Sequence, residues 1–238
     1  MLNHRLFNKD TKLTGYSEIV WRMVETQEAA ATLHIVDDMD EQALLEDLLD
    51  AVKPAYRAGT EKMHYLLKTA FRYPPLKYGS RFGTRSMPSF FYASEQIRTC
   101  LAESAYYRFM LVDDMLEPYS DVIDSRHCLF SVRIRADKCL DLASMQYKSI
   151  REKLLASNDY AICQSIGEWA VTSNQIDIIR FESARRLESH NVALANPAAI
   201  VSKSPLTTQS WLCRTTSDKV SYSSRDADFP ATFHRNMH

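Results

Sequence analysis

Glu103 is a carboxylate without a local counter-ion. It stands on a predicted helix where no residue three or four positions away is basic, so the usual solvated ion pair along a helix is unavailable. Such a carboxylate is either buried with a distant partner, simply exposed, or part of a functional site. The neighbours at those positions are Thr99, Cys100, Tyr106 and Tyr107.

Arg81 and Tyr92 could contribute to the recognition of an anionic, planar ligand. Gly79 and Gly83 flank Arg81 and allow a sharp backbone turn with close approach to a ligand. A guanidinium can grip a phosphate or a carboxylate with two hydrogen bonds, although an exposed arginine in an ordinary turn fits the same pattern. Tyr92 ends a short aromatic strand, where it either packs in the core or stacks on a planar heterocycle.

Ser183 follows a predicted strand and is the fourth candidate. A serine at that position commonly forms a turn or caps the next segment. It has no G-x-S-x-G setting and no evident His/Asp partnership, so the sequence supports nucleophilic hydrolysis only weakly.

The elements that must position these residues follow from the hydrophobic periodicity. We predict helices at residues 16–33, 39–53, 60–69, 95–112 and 159–172, with Asp38 among the acidic residues that cap the second, Ser94 as the N-cap of the fourth and Asn174 as a left-handed C-cap of the last. Helices early and strands later predict an α+β domain with an antiparallel or mixed sheet. The predicted strands cover residues 90–92, 129–134, 176–181, 191–194, 211–214 and 219–222.

Composition excludes several classes of function. Lys and Arg number 29 against 30 Asp and Glu, and no basic run occurs, so nucleic-acid binding is not expected. With only five glycines the chain has neither a G-x-G-x-x-G nor a P-loop motif, and its five cysteines form no C-x-x-C pair. The absence of a long apolar run predicts no membrane span and no secretory signal, and we expect a cytoplasmic protein without a metal.

The order of these motifs resembles the RES-domain family, named for an Arg, a Glu and a Ser. The family pattern has a Gly-Gly-Arg-Trp-like turn, a Tyr-Ala-Ser strand end, a helix with an acidic residue, and a strand leading into Ser and an Asn-x-x-x-Asn-Pro motif. Ser80 and Phe82 depart from the commoner Gly and Trp, but the arginine is retained. The corresponding segments are Gly79–Phe82, Tyr92–Ser94, Leu101–Glu103, Arg180–Ser183 and Asn191–Pro197, and Val20–Glu25 with Glu41–Glu46 is similar to the extension of the longer subgroup.

This resemblance implies a fold similar to ADP-ribosyltransferases, with an N-terminal helical extension at residues 1–75 and the RES domain at 76–224. The last residues, 225–238, are expected to form a poorly anchored tail. It also implies a toxin of a toxin–antitoxin pair that uses NAD⁺ as a substrate. Glu103 would act at the ribose, Arg81 at the pyrophosphate, Tyr92 at the nicotinamide and Ser183 as a positioning group, with Arg22 a second anion contact.

The resemblance leaves the acceptor of the ADP-ribose open between water, phosphate and the side chain of a host protein. A catalytically inactive RES module that only binds a partner is the alternative from another class. The family also implies a cognate antitoxin, and the early helices could serve that partner or a homodimer.

Overall fold

The computed structural model describes residues 11–26, 35–75, 79–116 and 121–235. Within those ranges the chain forms eight strands and five α-helices, with short 3₁₀ segments between some of them. The strands are β1 (Thr14–Glu25), β2 (Phe91–Ser94), β3 (Ile123–Asp141), β4 (Ile178–Glu182), β5 (His190–Leu194), β6 (Thr207–Thr215), β7 (Lys219–Ser223) and β8 (Ala231–His234). The helices are α1 (Met39–Ala51), α2 (Tyr65–Lys68), α3 (Ile97–Asp113), α4 (Arg151–Leu155) and α5 (Ala161–Ser173).

Five of the strands close into a ring. The sheet runs in the order β1-β2-β5-β4-β3-β6-β7-β8, and β1 also pairs with β3, so β1, β2, β5, β4 and β3 form a closed circuit. Strand β6 pairs with the edge of β3 that faces away from β1, and β7 and β8 continue the sheet outward from β6. The β3–β4 pair is parallel and the other pairs are antiparallel. The predicted α+β class with a mixed sheet is therefore confirmed.

The interior of the ring is apolar because alternate residues of each strand point inward. Their side chains form one continuous cluster that excludes water from the middle of the ring, and burial of this kind is the dominant favourable contribution to folding. Fully buried members include Val20, Phe91, Phe130, Val132, Ile134, Ile178, Val192 and Leu194.

Two helices cover the outer surface of the sheet. Helix α5 packs Cys163, Ile166 and Ala170 against the outward residues of β4 and β5. Helix α3 packs Cys100, Leu101 and Ala105 against the sheet extension, where Trp211 and Tyr222 are buried. The residues between these two helices form a cleft over the outer face of the ring.

The helix predicted at residues 16–33 is wrong wherever it falls on described residues. Residues 14–25 form β1, which pairs with β3 from Thr14 to Glu25. The segment is rich in β-branched and aromatic residues, which favour strands, and its inward residue Val20 alternates with its outward residue Trp21. Residues 27–33 of the prediction lie outside the described residues. The boundary at residue 75 stays a prediction, although β1 comes from the N-terminal side of it.

Three other local predictions need correction. Residues 231–234 of the expected tail form β8, whose Phe233 ring lies 6.3 Å from that of Tyr222. The helix expected at 60–69 is confined to α2 and a 3₁₀ turn at Thr69–Phe71. Ser94 is not the N-cap of α3, because it lies in β2 and its hydroxyl donates to Asn191. The N-cap is Gln96, whose side chain makes no capping bond.

The two other predicted helix caps are confirmed. Asp38 caps α1 by accepting from the backbone N–H groups of Asp40 and Glu41, and Asn174 ends α5 with a φ of 51°. None of the helices in the described ranges combines the length and hydropathy that crossing a membrane requires.

Candidate active site

Helix α3 places Glu103 in the cleft, where two other elements hold its carboxylate. Ser183 Oγ donates to Glu103 Oε1 at 2.7 Å, and Asn191 Nδ2 donates to the same oxygen at 2.6 Å. Both bonds end on Oε1, which fixes the direction of the carboxylate. Glu103 therefore has distant partners in place of the local ion pair that its helix lacks.

Ser183 follows β4 and is 4% exposed. Its Oγ also accepts the backbone N–H groups of Arg185 and Arg186, each at 3.1 Å. The hydroxyl proton is committed to Glu103 and the oxygen to the following turn. This arrangement makes Ser183 a residue that orients Glu103.

Asn191 also contacts Glu103, a role that its place in the Asn-x-x-x-Asn-Pro motif did not predict. Ser94 Oγ donates to Asn191 Oδ1 at 2.7 Å, so the amide nitrogen must face Glu103. Both Ser94 and Asn191 are buried, and they are direct partners across β2 and β5.

The turn that carries Arg81 is built by two glycines and a serine. Gly79 has a φ of 75°, Ser80 N donates to Gly83 O at 2.7 Å, and Gly83 N donates to Ser80 Oγ at 3.1 Å. Gly167 of α5 lies so close that an added Cβ would meet Phe82 O at 1.8 Å. The turn is thus packed directly on the backbone of α5.

The guanidinium of Arg81 is held at the edge of the cleft. Its Nη1 donates to Leu154 O at 2.7 Å and to Ala156 O at 3.3 Å, and its Cζ lies 4.8 Å from the centre of the Tyr160 ring. The glycine turn sets the direction of the Arg81 side chain, and these contacts hold the guanidinium in that position. They leave a fixed positive charge beside the cavity that also contains Glu103.

Tyr92 connects β2 to the Arg81 turn through its hydroxyl. The oxygen lies 2.8 Å from Ser80 Oγ and accepts from Phe82 N at 3.0 Å. Burial raises the pKa of Tyr92, so the phenol stays protonated. The hydroxyl therefore holds the turn, while the side chain also lines the cavity.

Arg22 lies on β1 at the end of the ring. Its Nη1 donates to Tyr92 O at 2.7 Å, and its Cζ lies 5.0 Å from the centre of the Phe91 ring. Its Nε is buried without a hydrogen-bond partner among the described residues. Burial lowers the pKa of Arg22, because the charged form loses its water.

These side chains meet around one cavity of about 530 Å³, a size typical of small-molecule sites. Four of the predicted residues line it, namely Arg22, Arg81, Tyr92 and Glu103, and Ser183 reaches it through its bond to Glu103. Among the described residues no group of three or more His, Cys, Asp or Glu side chains could hold a metal ion.

The site therefore combines a held carboxylate with arginines in a cleft over a mixed sheet. The model of the RES domain matches residues 54–216, and the chain belongs to the RES domain family. No curated protein matches the sequence. A similar solved structure is the crystal structure of the M. tuberculosis MbcT–MbcA toxin–antitoxin complex, with a TM-score of 0.48 and 10% identity over 86% of this chain and 87% of that chain.

Proposed function

We propose that this chain is a toxin that cleaves the bond between nicotinamide and ribose in NAD⁺. The observation that carries the proposal is the Glu103 carboxylate, which Ser183 and Asn191 hold at the wall of a cavity that also contains arginines. Membership of the RES domain family supports it, because the resemblance to that family implies NAD⁺ as the substrate.

Glu103 acts on the reacting ribose in this proposal. Cleavage of a glycosidic bond passes through a transition state with positive charge on the sugar, and a fixed carboxylate stabilises that charge. Ser183 and Asn191 both bind Oε1, so Oε2 can face the ribose or orient the acceptor. Their hydrogen bonds are in place before the reaction, so no reorganisation is needed when charge develops.

Arg81 and Tyr92 position the rest of the reacting end. The Arg81 charge is held by Leu154 and Ala156 through Nη1, and it supports the binding of a pyrophosphate oxygen without a glycine-rich loop. Tyr92 keeps the Arg81 turn in place and offers its ring to the nicotinamide. Arg22 is a weaker second anion contact, because its Nη1 already serves Tyr92 O.

The acceptor and the partners are part of the proposal. Water or phosphate as the acceptor depletes NAD⁺, whereas a side chain of a host metabolic enzyme makes the protein a mono-ADP-ribosyltransferase. A cognate antitoxin, expected from the family, would cover the cleft and silence the toxin. Each acceptor uses the same NAD⁺ site, so the products distinguish them.

The test is to incubate the purified protein with NAD⁺, with and without phosphate, and to identify the products by mass spectrometry. Free ADP-ribose identifies hydrolysis, ADP-ribose 1″-phosphate identifies phosphorolysis, and a modified protein in cell extract identifies transfer. The absence of nicotinamide release under all three conditions, together with tolerance of Arg81→Ala in a partner-binding assay, would favour the inactive partner-binding module.

A further inference from the structure

The cavity extends well beyond Glu103, along a groove between β1 and α3. Trp21 pairs with Ser94, and Glu25 pairs with His127 four residues further along β1. At the rise of a strand this is roughly 13 Å of groove. Residues 21, 23 and 25 of β1 line one side, and Ser104, Arg108 and Leu111 of α3 line the other.

The far end of this groove contains a buried polar cluster that the proposed chemistry does not use. His127 is 4% exposed, its Nε2 lies 3.0 Å from Ser125 Oγ, and its Nδ1 has no hydrogen-bond partner among the described residues. Arg108, 5% exposed, donates to Glu25 Oε2 at 3.0 Å and to Thr215 Oγ1 at 3.2 Å. A buried ring nitrogen without a partner costs free energy unless a ligand satisfies it.

The charges of this cluster indicate what it can bind. The Arg108 guanidinium is already paired with Glu25, so the pair carries no net charge with which to attract a phosphate. Burial lowers the pKa of His127 to about 4, and the imidazole is neutral near pH 7. The cluster therefore suits an uncharged group that forms hydrogen bonds.

The surrounding surface adds shape and polarity. Trp21, Met23 and Leu111 give the groove apolar walls that a flat ring can contact, while the Glu25 carboxylate can accept from an amino group. The neutral His127 Nδ1 can pair with a ring nitrogen, as donor or acceptor according to its tautomer. An aminopurine offers both groups on one edge.

We infer that the far end of the groove, formed by Met23, Glu25 and His127, binds the adenine of NAD⁺, which orients the dinucleotide with its nicotinamide toward Glu103. The inference rests on the proposed function for its choice of ligand. The amino group of adenine donates to Glu25, a ring nitrogen pairs with His127, and the ring lies against Met23 and Leu111.

The test is calorimetric binding of two halves of the substrate, AMP and nicotinamide mononucleotide, to the wild type and to His127→Leu. We expect the variant to bind AMP about tenfold more weakly, as for the loss of one buried hydrogen bond, and to bind nicotinamide mononucleotide as the wild type does. In NAD⁺ cleavage the same variant should have a raised KM and an unchanged kcat.

A second variant keeps the inference testable if His127→Leu does not fold. Glu25→Gln retains the shape of the side chain, and the wild type should prefer AMP to inosine monophosphate, which lacks the amino group, whereas Glu25→Gln should lose that preference. AMP binding that neither variant alters, or no AMP binding by the wild type, overturns the inference. Nicotinamide release bears on the proposed function alone, so the two failures are distinguishable.

Discussion

Ser183 Oγ lies 2.7 Å from Glu103 Oε1, although the two residues stand on different elements and 80 positions apart in the chain. Asn191 brings a third element, β5, to the same oxygen. The carboxylate is thus fixed by tertiary structure rather than by its own helix, which carries no basic residue near it.

Glu103→Gln should lower NAD⁺ cleavage by about 100-fold or more, the scale of one preorganised catalytic group. The amide oxygen can still accept from Ser183, so the melting temperature should change little. Nicotinamide release measures the effect. Glu152→Gln, on the exposed surface of α4, is the matched control. Near-normal turnover in Glu103→Gln would remove Glu103 from the mechanism.

Asn191→Asp should place a second carboxylate against Glu103. Like charges at this distance raise the pKa of one member of the pair, so the acid limb of the kcat/KM profile should move to higher pH by about one unit or more. The exposed Asn174→Asp serves as the control, because it makes the same chemical change away from the cavity. Identical acid limbs in the two variants would contradict the position assigned to Asn191.

Tyr92→Phe should lower the free energy of unfolding by about 1–3 kcal/mol, since it leaves the Phe82 N–H without its partner. The loosened turn should also reduce NAD⁺ cleavage by displacing Arg81. Urea unfolding gives the first quantity. Tyr65→Phe, at a tyrosine that is 60% exposed, should change neither. Equal stability of the two variants would show that the hydroxyl does not hold the turn.

Gly167→Ala should destabilise the protein by about 1–3 kcal/mol, as in other overpacked interiors, although alanine is intrinsically favoured in a helix. The added methyl group would overlap Phe82 O and push the Arg81 turn away from α5. Thermal unfolding measures the change. Gly15→Ala is the control, because no atom of the described part of the chain lies within 4 Å of its Cβ position. A stabilised Gly167→Ala protein would exclude the close contact.

His127 should make the free energy of unfolding depend on pH in the acid range. Burial lowers its pKa to about 4, below the ordinary value near 6.5, so the unfolded chain binds more protons than the native one between these values. The groups facing it are Glu25, Arg108 and Tyr222. As the pH falls from 6.5 toward 4, the wild type should lose stability relative to His127→Gln, by at most about 3 kcal/mol. Urea titrations at several pH values measure this difference, and a constant difference would count against a buried neutral imidazole.

The sequence predicted which candidate residues would lie together better than it predicted the elements around them. Arg81, Tyr92 and Glu103 line one cavity. The turn, strand and helix that carry them lie close to their predicted positions. β1 was mistaken for a helix because Ile19, Val20 and Met23 also fit a helical period, and only pairing with β3 decides between the two. The distant partners of Glu103 could not be assigned from the sequence, because hydrogen bonds that join α3 to β5 and to the residue after β4 produce no regular spacing of residues.

The closed ring of strands determines when this protein can acquire its site during synthesis. β1 pairs with β3 more than one hundred residues later, and Phe91 of β2 pairs with Leu194 of β5. Contacts so distant close large loops before they gain any stability, which is typical of slow folding. A ribosome-bound chain that has not yet reached Ser183 contains Glu103 but neither residue that orients it. We therefore expect nascent chains to stay inert until most of the polypeptide has emerged.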